Sequence, residues 1–110
     1  MSHRVVFRPA ARSELKELYR YIAAEAGRTV AAGFIRRIEE TCRSLSNFPM
    51  RGTARDDLSP GLWQMGFERR ASILFMVEED RVVIVAIAYG GRDLARLLGV
   101  EEQSGGKSGP

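Results

Sequence analysis

Two amphipathic helical segments set back to back constrain this chain more than any other feature of its sequence. Apolar residues fall at Ala11, Leu15, Leu18, Tyr19, Ile22 and Ala26, then at Ala31, Phe34, Ile35, Ile38, Cys42 and Leu45, each set lining one face of a helix. Pro9 suits a first helical turn, Gly27 the position just past a helix end, and Thr29 a cap for the second helix, which Asn47-Phe48-Pro49 stops. A link of two or three residues allows only an antiparallel neighbour, so the pair reads as a helical hairpin. Gly33 costs its helix about 1 kcal/mol against Ala and is expected to let the two helices approach closely.

A hairpin leaves one apolar stripe open, and the rest of the chain must cover it. Residues 3–8 read as a short strand ended by Pro9. Phe48 to Gly61 carries turn chemistry throughout and reads as a long surface loop. Three strand-like runs follow, Leu62 to Phe67, Ala71 to Val77 and Val82 to Tyr89, separated by Glu68-Arg69-Arg70 and Glu78-Glu79-Asp80-Arg81, which predicts an antiparallel meander. The last run is apolar at nearly every position, as a strand central in its sheet requires. A short helix is expected over 92–98. The predicted class is α+β in two layers, the hairpin packed on one face of a mostly antiparallel four-stranded sheet. Its predicted core is Leu15, Leu18, Ile22, Phe34, Ile38, Leu45, Ile73, Phe75, Val83 and Val85.

With 110 residues, 45% apolar and 28% charged, the chain has room for one such core and not for two. The domain is read as 1–98, with 99–110 a disordered tail rich in Gly, Ser and charge. The longest apolar run, Val82 to Tyr89, is eight residues against the roughly 20 of a spanning helix, and Met1-Ser2-His3-Arg4 leads into only three apolar residues before Arg8, so neither a membrane span nor a signal peptide is expected. A lone cysteine, Cys42, allows no internal disulfide and no thiolate zinc site; with these features it points to the cytoplasm.

The net charge is +3, and all the basic residues except Lys16 and Lys107 are arginine, the side chain suited to two-point binding of carboxylate or phosphate. No segment is a basic tail, so lysine-stripe coating of DNA is not indicated. His3 reads as an exposed residue on an edge strand and Cys42 as a buried hydrophobe. No Ser/His/Asp, Cys/His or metal-ligand constellation can be assembled, and no metal or cofactor is expected. What remains is arginine and tyrosine. Arg69 and Arg70 at one hairpin, with Tyr89 and Arg92 after the last strand, should meet at one end of the meander, whereas Arg81 should lie at the other. Such a group could stabilise a phosphorane during attack of a 2′-hydroxyl on RNA, or bind carboxylates of a protein; the simpler reading is that these arginines, with Arg51 and Arg55 of the loop, cap loops and pair with Asp56, Asp57, Glu68 and Asp93.

The order of elements, together with Phe48-Pro49-Met50-Arg51-Gly52-Thr53-Ala54-Arg55-Asp56-Asp57-Leu58-Ser59-Pro60-Gly61-Leu62, Gly66-Phe67-Glu68-Arg69-Arg70 and Tyr89-Gly90-Gly91-Arg92-Asp93, resembles the RelE/ParE superfamily of type II toxin–antitoxin toxins over roughly residues 3 to 98. Trp63 stands where ParE-like chains usually carry Arg, and Leu97 and Leu98 stand where the mRNA-cleaving RelE branch has a Tyr, so the resemblance leans to ParE. It implies a toxin of a plasmid-stabilisation or addiction module, neutralised by a small ParD-like antitoxin and acting by binding DNA gyrase. A ribosome-dependent mRNA endonuclease is the alternative, and an inactive co-repressor subunit a further one. Contact with operator DNA would be indirect, through the antitoxin. For the antitoxin, or for the target, Tyr19, Trp63, Met65, Arg51 and Arg55 are expected to supply aromatic and cationic anchors.

Overall fold

The two helical periodicities become α1 (Pro9–Ala26) and α2 (Arg28–Ser44), joined through Gly27 alone. This residue ends one helix and starts the next with φ 101°, a backbone conformation that a side chain would resist. The computed structural model describes residues 3–90; the helix expected over 92–98, Arg92 and the tail 99–110 lie outside the described residues.

Ahead of the hairpin runs β1 (Arg4–Phe7), and after it come β2 (Thr53–Ala54), β3 (Leu62–Phe67), β4 (Ala71–Val77) and β5 (Arg81–Tyr89). They form one sheet in the order β1-β5-β4-β3-β2, in which β1 lies parallel to β5 and every other pair is antiparallel. The hairpin carries the chain from β1 at one edge across the sheet face to β2 at the other, and the meander then returns to place β5 beside β1. The sheet has five strands rather than the four expected, and β5 sits between β1 and β4, which accounts for its apolar run.

The helices cover one sheet face. Leu15, Leu18, Ile22, Phe34, Ile38 and Leu45 meet Met65, Phe67, Ile73, Phe75, Val82, Ile84 and Ile87 in the main core. A smaller cluster on the opposite face gathers Leu62, Leu74, Val83, Val85 and Ala86, with Leu58 and Met76 at its margin. All ten residues predicted for the core are buried. A bulge explains how β5 serves both faces: Leu74 pairs with Ala86 and Phe75 with Ile84, so Val85 is an extra residue. Past it the alternation changes phase, and Ile87 rather than Ala86 faces the helices.

Several local expectations are corrected. The stretch from Phe48 to Gly61 is not all loop, because β2 pairs Thr53 with Gln64 and Ala54 with Trp63. Gly52 permits this: its φ is 93°, and a Cβ there would fall inside contact distance of the Gln64 carbonyl. The following turn is stapled by Asp56, whose carboxylate accepts from the Gly61 N–H at 2.9 Å. Thr29 lies within α2 and does not cap it, since the cap position is Gly27. Gly33 does not mark a close helix approach, because a Cβ there would meet only the Arg37 guanidinium at 3.5 Å. His3 lies outside β1 and is half-buried, its N–H donating to the Ser46 carbonyl at 2.8 Å. Among the described residues no helix is long and apolar enough to cross a membrane, and no cluster of His, Cys, Asp and Glu could hold a metal ion.

Candidate functional site

The β3–β4 connection, Glu68-Arg69-Arg70, turns back under the tip of the helical hairpin. Its neck is closed by the Arg70 N–H donating to the Phe67 carbonyl at 3.1 Å. Glu68 and Arg69 both take left-handed backbone conformations, φ 51° and 61°, without being glycine or asparagine. Such residues cost about 1–3 kcal/mol each, and they persist where surrounding structure holds them. β5 returns beside this turn: Tyr89 pairs with Ala71, and the Gly90 N–H donates to the Arg70 carbonyl at 2.8 Å.

Arg70 and Tyr89 are therefore brought together, with Arg70 Nη1 3.4 Å from the Tyr89 hydroxyl. Arg69 projects from the same turn and is exposed. Arg81 begins β5 at the opposite end of the sheet, where its guanidinium is paired with Glu78 at 2.6 Å. The Tyr89 ring packs edge-on against Tyr21 of α1 and Phe34 of α2, at centroid distances of 5.6 and 6.0 Å. Phe34 in turn meets Phe67, the last residue of β3, at 5.3 Å. This aromatic cluster ties the hairpin tip to the turn, and beside it opens a groove of about 380 Å³ bordered by Tyr21, Val30, Phe34, Arg37, Arg70 and Tyr89. Tyr21 and Val30, 55% and 53% exposed, are two of the four exposed large apolar side chains among the described residues; the others, Phe48 and Met50, do not border this groove.

Arg37 of α2 completes the arrangement. Its Nε donates to Glu68 Oε2 at 2.8 Å and its Nη2 to Oε1 at 3.0 Å, a two-point ion pair across 31 positions of sequence. The hydrogen bonds from Arg37 hold the Glu68 carboxyl below the usual carboxylate range, with added attraction from Arg37 and from Arg70. Of the expected carboxylate partners, Asp57 pairs with Arg55, Asp56 accepts from the Gly61 N–H, and Glu68 is taken by Arg37 rather than by Arg69 or Arg70. Sequence reasoning missed Arg37, Tyr21 and Phe34 as members of this group, and named Glu68 only as a partner for the neighbouring arginines. The spacing Phe34 to Arg37 is a local trace of it, since that interval stacks a cation on a ring, here at 5.6 Å.

The other expected anchors are scattered and partly engaged. Arg55 is tied to Asp57 by two hydrogen bonds, at 2.9 and 2.8 Å, and also bonds Gln64, which reaches the Ser72 hydroxyl at 3.1 Å. Arg51 donates to the Ser44 hydroxyl at 3.0 Å. Met65 is a core residue, 9% exposed, and offers a partner little surface. Trp63 and Tyr19 are half-buried against the main core, Tyr19 in a separate cleft between the helices with Leu15, Lys16, Ile35 and Glu39. Arg92 lies outside the described residues.

Known proteins share this architecture. Residues 5–94 match the family model described as the ParE toxin of type II toxin–antitoxin system, parDE. Toxin ParE3 of Caulobacter vibrioides is 34% identical over 86 residues, an alignment spanning 78% of this chain and 85% of that protein. Among solved structures, a chain of the chromosomal ParDE system from P. aeruginosa gives a TM-score of 0.71 at 21% identity, covering 81% of this chain and 97% of that one. The RelBE2 toxin–antitoxin complex of Mycobacterium tuberculosis gives 0.61 at 20% identity, over 84% and 95%. These structural likenesses concern the fold, whereas the sequence match extends over most of the domain, and by it the chain belongs to the ParE toxin family of type II toxin–antitoxin systems.

Proposed function

We propose that this toxin arrests growth by binding DNA gyrase, that it acts in the cytoplasm, and that a cognate ParD-like antitoxin neutralises it by covering the groove beside the hairpin tip. The antitoxin is supported by solved structures of the same fold that belong to toxin–antitoxin systems or complexes. The mode of action is supported chiefly by one feature of the site: Glu68, the carboxylate nearest the Arg70 and Tyr89 pair in sequence, is bonded at both oxygens by Arg37 and held ionised. A general acid must carry a proton to give, and a carboxylate locked to a guanidinium does not. This leaves the Tyr89 phenol as the proton donor beside Arg70, without a carboxylic acid next to it, and the cation, phenol and aromatic surface together are the equipment of a protein-binding anchor.

The test is to induce the gene alone and with the neighbouring antitoxin gene, then to compare plasmid supercoiling and DNA breaks with mapped mRNA ends. Arrest with altered supercoiling and intact messages is expected, reversed by the antitoxin. Cut codons would replace this reading with the ribosome-dependent endonuclease, and normal growth would replace it with an inactive co-repressor. Arg70→Ala should abolish arrest while Arg81→Ala, at the far end of the sheet, leaves it intact; equal loss from both would show that the wrong end has been chosen.

A further inference from the structure

We propose that Arg37 is a positioning residue that keeps Arg70 available to a target by holding Glu68 away from it. The inference rests on the reading that Arg70 contacts whatever the toxin binds.

Glu68 and Arg70 belong to one three-residue turn, and the cation of Arg70 already acts on the Glu68 carboxylate. Without a competitor, the carboxylate has a guanidinium two residues away as its natural partner. Such a pair would neutralise the cation that faces the groove and would add a desolvation cost to any binding that required separating the two charges. In the structure Glu68 is bonded to Arg37 instead. Both its oxygens are taken by Arg37, and among the described residues Arg70 is left with no ion pair and with the Tyr89 hydroxyl as its side-chain neighbour. Arg37 is well placed to prevail, because its guanidinium lies over the Phe34 ring, and Phe34 is itself packed against Phe67 and Tyr89 on either side of the turn. The two-point geometry is one that a guanidinium forms and an ammonium does not.

The ion pair is half exposed, with side-chain exposures of 50% and 40%, so its loss should leave the fold intact. This makes the proposal separable from a structural role. The variants Arg37→Ala and Arg37→Ala/Glu68→Ala are compared with wild type for growth arrest on induction and for inhibition of supercoiling by purified bacterial gyrase, with thermal melts as a folding control. Arg37→Ala should weaken arrest and raise the toxin concentration for half inhibition by about tenfold, with the loss shrinking as salt is raised. The double variant should recover to within about threefold of wild type, because removing the released carboxylate frees Arg70 again. Rescue of this sign is not expected if Arg37 merely supports the turn or touches the target itself. Arg37→Ala as potent as wild type, or a double variant as weak as the single one, would overturn the inference. Wild-type arrest without any effect on gyrase would refute the gyrase reading alone, since the same comparison runs on arrest. A wild type that causes no arrest would overturn both.

Discussion

Replacing Arg69 with glycine should stabilise the protein while disarming it. Arg69 sits at φ 61° in a turn where its neighbour Glu68 is also left-handed, and its exposed side chain makes no hydrogen bond or ion pair among the described residues. A residue with a Cβ loses about 1–2 kcal/mol in that conformation. Glycine removes the penalty, but its freer unfolded chain returns about 0.5–1 kcal/mol, leaving a net gain of roughly 0.5–1 kcal/mol. For a domain of this size that corresponds to a rise in melting temperature of about 3–6 °C. Urea unfolding followed by circular dichroism should show a higher midpoint at unchanged slope, the mark of a change in stability rather than in compactness. Arg69→Ala separates backbone from side chain: it removes the guanidinium but keeps the Cβ, so its stability should match wild type within about 0.5 kcal/mol. Arg69→Asn, a residue that tolerates this conformation, should fall between the two. A glycine variant no more stable than the alanine variant would refute the claim that the turn is held under strain. All three should arrest growth less than wild type if the turn is the binding surface.

Two further outcomes follow from the packing. Gly52→Ala should destabilise the protein by about 2–4 kcal/mol in the same urea assay, because the added Cβ collides with the Gln64 backbone carbonyl at a φ of 93°; wild-type stability would mean that β2 does not pair with β3 as described. Cys42 should resist a thiol reagent at pH 8 in the folded protein and react fully once unfolded, since burial, with Glu39 adding to it, pushes the thiol up to about 12; rapid reaction of the native protein would contradict its burial against the main core.

How far the fold could be read from sequence depended on whether each element carried its own period. α1 and α2 each repeat their apolar stripe for more than three turns, and β3 and β4 are apolar-rich runs set between charged turn residues, so their ends were legible. β2 was not, because two residues cannot display a period; what makes them a strand is Gly52 lying against Gln64, a contact between distant parts of the chain. The same alternation bears on the expected anchors. Trp63, Met65 and Phe67 share one face of β3, and since Phe67 is core, Met65 had to point inward too. Arg37 was beyond reach, since α2 carries other arginines at Arg28, Arg36 and Arg43 and nothing local distinguishes the one that meets Glu68.

One place in the described structure breaks a rule that the chain otherwise obeys. Wherever else the backbone enters the left-handed region, at Gly27, Gly52, Gly61 and Gly90, the sequence supplies glycine; at the β3–β4 turn it supplies Glu68 and Arg69. Asparagine and glycine would fold this turn with less strain, so the side chains present must contribute something that those residues lack. For Glu68 the contribution is visible as the ion pair with Arg37. For Arg69 no hydrogen bond or ion pair among the described residues offsets the strain, and the residue is exposed next in sequence to Arg70, which borders the groove. A cost with no visible return among the described residues is what a residue kept for contact with a partner would show. The strained turn, rather than the number of arginines, is therefore the stronger argument for placing the binding surface at this end of the sheet.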